Sequence, residues 1–128
     1  MKLRIKGNSI RLRVSRSELA MLAETGRVED AIQFAPGDEH RLAYSLQASP
    51  EVKKFSVRHT PREITVMIPA AEAEAWWDTD RVGLEGEQRV GGDQTLAILV
   101  EKDFACFQPR PGEDAADAFP NPGDTRKC

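Results

Sequence analysis

The second half of the chain repeats the pattern of the first half at an offset of 54 residues. Without any gap, nine of the 44 residue pairs between 4–47 and 58–101 are identical. These pairs are Arg4/Arg58, Ile10/Ile64, Glu18/Glu72, Thr25/Thr79, Arg27/Arg81, Val28/Val82, Gly37/Gly91, Leu42/Leu96 and Ala43/Ala97. We interpret the repeat as a duplicated unit, with pseudo-repeats at 1–50 and 53–103. Two unrelated halves that share a generic order of strands and helix are the alternative.

Each half is predicted to run strand, strand, helix, strand, strand. In the first half, apolar and cationic residues alternate with period two over 2–6 and 10–14, which is typical of strands with one apolar face. Ser15 followed by Glu18 is a capping-box pattern, and Gly26 is a helix stop, so the spacing predicts a helix to Thr25. Strands are then expected over 28–34 and 41–47.

The second half predicts strands over 55–58, 64–68, 82–89 and 95–101, with a helix that begins at Pro69 and presents Ala73, Trp76 and Trp77. Neither half alone can bury both faces of a sheet. We therefore expect one α+β domain over 1–103, in which about eight strands form an antiparallel sheet that is strongly curved or closed into a barrel. Two short helices would cover it. Residues 104–128, interrupted by prolines, are expected to be an extended, partly docked C-terminal arm.

Composition excludes several classes of function. The 128 residues carry 18 basic and 21 acidic side chains, and a net charge of -3 gives no reason to expect a nucleic-acid or membrane partner. The start of the chain has no apolar leader, so a cytoplasmic location is expected. Charge is uneven along the chain: residues 1–62 hold 12 basic and 7 acidic side chains, whereas 63–128 hold 6 and 14. The two halves can neutralise each other within one fold or pair head to tail in a homodimer.

The cationic strand faces are the main candidate site. Lys2, Arg4 and Lys6 share one side of the first strand, and Arg11 and Arg13 share one side of the second. A hairpin would bring these five charges together, and Arg58 repeats Arg4 in the second half. Phosphates or other anions could neutralise such a cluster through charge-assisted hydrogen bonds. Cross-strand ion pairs with Glu63, Glu85, Glu87 and Glu101 are the alternative.

A metal site near the end of the chain is a second candidate. Cys106 and Cys128 are the two cysteines, and Glu101 and Asp103 precede Cys106 closely. Zinc accepts thiolate and carboxylate ligands, although this spacing matches no established zinc motif. A buried, inert Cys106 beside Phe104 and Phe107 is the alternative, and a disulfide would require an oxidising compartment. No other cofactor is indicated by the sequence.

The opening KLRIKGNSIRLRVSRSELAMLAETGRVED and the closing EKDFACFQPRPGEDAADAFPNP resemble a family of small bacterial proteins known only as a domain of unknown function. This resemblance implies a bacterial cytoplasmic protein and supplies no activity. The predicted topology also resembles the adenylyl cyclase–thiamine triphosphatase-like tunnel enzymes, which implies triphosphate substrates with Mg or Mn. Where those enzymes alternate glutamates on the first strand, this chain has Lys2, Arg4 and Lys6.

No sequence motif of nucleophilic, phosphate-loop or metalloprotease chemistry occurs in the chain. We therefore expect a non-catalytic domain that binds a protein partner or a small anionic ligand through Lys2, Arg4, Lys6, Arg11, Arg13 and Arg58. The alternative is a divergent metal-dependent phosphohydrolase with Glu85, Glu87 and Glu101 at the metal.

Overall fold

A computed structural model describes residues 1–104 and Phe119. In this part of the chain there are eight strands, two α-helices and one short 3-10 turn over Asp38–His40. The strands are β1 (Lys2–Ile5), β2 (Ser9–Val14), β3 (Arg27–Gln33), β4 (Arg41–Ser49), β5 (Ser56–Thr60), β6 (Glu63–Pro69), β7 (Gly83–Gly91) and β8 (Gln94–Lys102). The helices are α1 (Arg16–Thr25) and α2 (Ala70–Trp77). The predicted order of elements is confirmed for both halves.

The strands form two four-stranded sheets. The first sheet has the order β1-β2-β8-β7, and the second has the order β3-β4-β6-β5. The outer pairs of each sheet are antiparallel hairpins, while the central pairs, β2 with β8 and β4 with β6, are parallel. The prediction of one antiparallel sheet was therefore wrong, and no closed barrel is present among the described residues. Alternation shows which residues share a strand face, but it does not identify the neighbouring strand.

Each sheet combines one hairpin from each half of the chain. The strand registers follow the offset of 54 residues in two of the three sets of equivalent strand pairs. Two equivalent sets illustrate this: Lys2↔Arg13 with Ser56↔Met67, and Ser9↔Ala97 with Ala43↔Glu63. The third set is displaced by two residues, because Val28 faces Leu46 whereas Leu84, not Val82, faces Val100.

The first helix forms for the reasons that the sequence indicated. The Ser15 hydroxyl accepts a hydrogen bond from the Glu18 N–H, and the Glu18 carboxylate accepts one from the Ser15 N–H, which completes the capping box. The helix ends at Gly26, which adopts the left-handed conformation with φ of 81° that glycine tolerates. The predicted helix and both of its ends are confirmed.

The core lies between the inner faces of the two sheets and the two helices, which contact each other. Its largest fully buried side chain is Trp76 of α2, whose indole N–H donates to the Val82 carbonyl at 3.1 Å. The other buried apolar members come from both sheets and both helices: Ile10, Leu12, Val14, Leu19, Leu22, Val28, Leu46, Val66, Ile68, Ala73, Leu84, Ile98 and Val100. No helix in the described residues is long and apolar enough to cross a membrane.

Candidate anion-binding face

Four cations share the outer face of the β1–β2 hairpin. Lys2 lies directly opposite Arg13, and Arg4 lies directly opposite Arg11. The alternate residues of β2, Ile10, Leu12 and Val14, are buried on the inner face. We call Lys2, Arg4, Arg11 and Arg13 the cationic strip. Placing like charges opposite one another opposes hairpin formation, so the strip needs compensation from anions or water.

The turn of this hairpin fixes where the strip ends. Lys6 and Ser9 exchange two backbone hydrogen bonds, and Gly7 between them has a positive φ of 55°. The Asn8 side-chain amide donates to the Thr95 carbonyl at 2.6 Å, which ties the turn to β8. Strand β1 ends at Ile5, so Lys6 belongs to the turn at the end of the strip rather than to the strand itself.

Two cations of the strip have carboxylate partners. The Lys2 Nζ lies 3.0 Å from Asp103 Oδ2, and the Arg11 Nε lies 2.9 Å from Glu101 Oε1. The Arg11–Glu101 contact is an ion pair without hydrogen-bond geometry, since that shielded carboxylate oxygen accepts no hydrogen bond within the described residues. These pairs are partly exposed, and exposed pairs of this kind contribute at most about 1 kcal/mol each to stability.

The other cations of this hairpin have no ion-pair partner in the part of the chain that the structure describes. Arg4 and Arg13 are exposed, as is Lys6 in the turn, and none of them meets a carboxylate in residues 1–104 or at Phe119. The predicted network of cross-strand ion pairs therefore accounts for Arg11, through Glu101, but not for these three. Of the other acids in that network, Glu63 pairs instead with Arg27 on the second sheet, at 3.5 Å.

Arg58 lies apart from the strip. It is exposed on β5, an edge strand of the second sheet, opposite Thr65. Near the centre of the outer face of that sheet, polar side chains form hydrogen bonds with one another. The Thr65 hydroxyl donates to Glu63 Oε1 at 3.0 Å, and Ser45 lies within hydrogen-bond distance of Thr65. Sequence analysis predicts the same role for Arg58 as for Arg4, but the two arginines face outward from different sheets.

The residues predicted to hold a metal divide into two groups. Glu101 and Asp103 are described, and each is paired with a cation of the strip. Cys106 and Cys128 lie outside the described residues, so their predicted roles remain predictions. Within 1–104 and at Phe119, no three histidine, cysteine or acidic side chains are grouped closely enough to hold a metal ion.

A second polar cluster, which sequence reasoning missed, joins the edges of the two sheets. The Met1 ammonium donates to Glu18, the capping-box residue of α1, and lies 3.3 Å from Asp30 Oδ2 on β3. The Tyr44 hydroxyl donates to the Met1 carbonyl at 3.2 Å. The cluster therefore links β1 of the first sheet to β3 and β4 of the second, and only the folded structure brings these separated residues together.

The pKa values in this cluster are shifted in the directions that close charges produce. Burial alone would lower the pKa of the Met1 ammonium, but Glu18 and Asp30 outweigh it and raise that pKa above 8.0. Burial alone would raise the pKa of Asp30, but the Ala31 N–H and the ammonium lower it below 3.8. Burial and the nearby Asp30 charge raise the pKa of Tyr44. The cluster therefore favours a charged amine beside a charged carboxylate.

Lys102 is the buried cation at the end of β8. Its Nζ donates to the Thr79 carbonyl just beyond α2 at 2.6 Å and lies 5.0 Å from the centre of the Phe119 ring. Burial lowers the pKa of Lys102, and the charge of Asp80 opposes that effect. The Phe119 ring also packs edge-on against Phe104, with ring centres 6.0 Å apart. These contacts give Lys102 a structural role in joining α2 to Phe119.

The geometry describes a small α+β protein with two mixed sheets and one open, charged sheet face. The chain belongs to a family of unknown function, DUF7009, whose model matches residues 1–123. This confirms the resemblance to a domain of unknown function that the opening and closing stretches indicated. No curated protein and no solved structure matches the chain. The resemblance to triphosphate-tunnel enzymes stays a prediction.

Proposed function

We propose that this protein is a non-catalytic domain that binds an anionic partner through the cationic strip. Arg4 and Arg13 are the main contact residues, because they are exposed and carry no ion pair within the described residues. Arg11 lies opposite Arg4 on the same face and adds to the positive electrostatic potential of the strip. A guanidinium group donates two parallel hydrogen bonds to a carboxylate or a phosphate, which suits both types of anion.

The unpaired charge is the observation that supports this proposal. Two unit charges about 6 Å apart in water repel by about 0.7 kcal/mol, and the strip contains two such opposed pairs. Asp103 and Glu101 offset the charge of Lys2 and Arg11, but Arg4 and Arg13 have no such compensation within the described residues. A bound anion would convert this repulsion into attraction, so binding at the strip is expected to stabilise the fold.

The proposal is tested by thermal unfolding and calorimetric titration with two probes, tripolyphosphate and an oligoglutamate peptide. A ligand at about 100 times its Kd stabilises the folded state by about 2.7 kcal/mol. The double variant Arg4→Gln/Arg13→Gln should lose this effect. Arg58→Gln is the matched control, because Arg58 occupies the position equivalent to Arg4 on the other sheet and should leave binding unchanged.

The two probes separate phosphate recognition from carboxylate recognition. Equal binding by the wild type, the double variant and the control would contradict the proposal, as would the absence of binding by either probe at low salt. Release of phosphate from tripolyphosphate in the presence of Mg or Mn would contradict the non-catalytic assignment and favour the phosphohydrolase alternative.

We also infer that the two halves arose by duplication. The shared offset of 54 residues in sequence and in most strand registers supports this inference. Aligning the two halves in other members of the family provides the test. The offset should persist among distant members, and its loss there would indicate a coincidental resemblance between the halves.

A further inference from the structure

The open face that carries the cationic strip also has an acidic half. Glu85 and Glu87 lie on β7, the strand at the opposite edge of the first sheet from β1. Both are exposed, and neither makes an ion pair within residues 1–104 or with Phe119. Their neighbour Leu84 is buried on the inner face, so alternation directs Glu85 and Glu87 outward.

The strand registers place these residues in rows across the sheet. One row consists of Arg4, Arg11, Leu99 and Glu85. In the next row, Ala97 and Glu87 lie in line with the turn that holds Lys6. Neighbouring strands lie about 4.8 Å apart, so Arg4 and Glu85 are about 14 Å apart across three such spacings. This distance is too long for an ion pair within one molecule. The face is therefore cationic on one side and apolar at Leu99 and Ala97, and on the other side it carries Glu85 and Glu87, with Arg89 beyond them opposite Thr95.

We propose that this face binds the same face of a second copy of the chain in a twofold dimer. If the twofold axis runs parallel to the strands between β2 and β8, β1 of one copy lies over β7 of the other. Arg4 then faces Glu85 of the second copy, and the turn with Lys6 faces its Glu87. A twofold axis perpendicular to the strands would place β1 over β1 and set cations against cations. Charge complementarity therefore favours a second copy of the chain as the partner and a twofold axis parallel to the strands.

The size of the face sets the strength of the dimer. Four strands are about 19 Å wide, and five or six residues along them extend about 17 to 20 Å. This patch is smaller than the roughly 800 Å² per partner that stable interfaces bury. Leu99, half-buried at the centre, is the apolar contact, and charged residues form the two sides. We therefore expect a weak dimer that forms at high protein concentration and dissociates as salt screens the charges.

This inference rests on the proposed function, because the same strip cations would recognise the carboxylates of the second copy. Tripolyphosphate and the second copy would then compete for the strip. Adding tripolyphosphate to the dimer should therefore shift the protein toward monomer. The acidic half takes no part in tripolyphosphate binding, so variants there separate the two proposals.

The test is sedimentation velocity of the full chain over a range of concentrations at about 20 mM and about 500 mM salt. The wild type should show a concentration-dependent dimer at low salt only. Glu85→Gln/Glu87→Gln should weaken the dimer at least tenfold and leave tripolyphosphate binding unchanged. Arg4→Gln/Arg13→Gln should abolish both. Arg58→Gln, on the other sheet, should change neither.

Charge reversal makes the test specific for the proposed pairing. Arg4→Glu/Lys6→Glu and Glu85→Lys/Glu87→Lys should each be monomeric alone, and an equimolar mixture should form a heterodimer. Circular dichroism shows whether each variant is folded. If a charge-reversed variant does not fold, the neutral glutamine variants test the dimer contacts instead. A wild type that stays monomeric at every concentration in low salt would overturn the dimer while leaving the tripolyphosphate result intact. A dimer that is indifferent to all of these variants would also overturn it.

Discussion

Replacing Trp76 by alanine should destabilise the protein more than any change on its charged face. The Trp76 side chain is 0% exposed in the core, and its indole N–H donates to the Val82 carbonyl. Truncating a buried aromatic residue to alanine costs about 3 to 5 kcal/mol through lost burial and the remaining cavity. The Val82 carbonyl keeps its hydrogen bond from the Lys102 N–H, so loss of the indole donor adds little to this cost. This loss, about 3 to 5 kcal/mol, is a large part of the whole stability of many domains, which is about 5 to 15 kcal/mol.

Urea unfolding followed by far-ultraviolet circular dichroism measures this loss. Trp76→Phe keeps a buried aromatic ring but loses the indole N–H and part of the buried volume, so it should cost about 1 to 2 kcal/mol. Trp77→Ala is the matched control, because Trp77 is next in sequence and only partly buried. A Trp76→Ala variant that loses less than about 1.5 kcal/mol, or a Trp77→Ala variant that loses more, would refute the assignment of Trp76 to the core.

Other predictions concern the helix cap, the cluster that joins the two sheets, and the cationic strip. Ser15→Ala removes the acceptor for the Glu18 N–H and should lower the free energy of unfolding by about 1 kcal/mol; an unchanged urea midpoint would contradict the capping role. Since the pKa of Asp30 is lowered in the folded state, its contribution to stability is present above about pH 3.8 and lost as pH falls through the folded value. The raised pKa of the Met1 ammonium acts in the opposite direction: its contribution is complete below about pH 8.0 and lost as pH rises through the folded value. Asp30→Asn should therefore reduce the dependence of the free energy of unfolding on pH at both the acidic and the alkaline end. An unaltered pH dependence would show that the cluster is not coupled to folding. Arg13→Gln removes a cation that has no ion-pair partner in the described residues and lies opposite Lys2, so it should leave stability within about 0.5 kcal/mol or raise it slightly; a clear loss would mean that Arg13 has a structural partner.

The local structure of the chain was predictable because its causes are local. The capping box at Ser15 and Glu18 and the stop at Gly26 depend on residues within one helix, and both were confirmed. The alternation of cations with Leu and Ile in β1 and β2 likewise indicated which side chains would share the outer face. Even the two-residue difference between the hairpins left the order of elements unchanged.

The candidate site was predictable only in part. The cationic half of the face follows from alternation within one hairpin, and the pairing Arg4↔Arg11 brings it together. The carboxylates at Glu101 and Glu85 come from the other end of the chain, and their places depend on the pairing of β2 with β8. The cluster at Met1 and Asp30 carries no periodic signal, because it forms where the edges of two sheets meet.

The amino-acid sequence by itself determined the order of the elements, the ends of α1, the apolar and charged faces of the first hairpin and membership of the family. These features depend on contacts between residues that are close in the chain, where capping, turn geometry and alternation act directly. Tertiary structure alone decided that the strands divide into two mixed sheets, that Arg58 lies apart from Arg4, and that Glu85 and Glu87 lie at the opposite edge of the face from the cationic strip. Those outcomes depend on which hairpin pairs with which, and that choice is made by burial of the shared core between distant segments rather than by any local pattern.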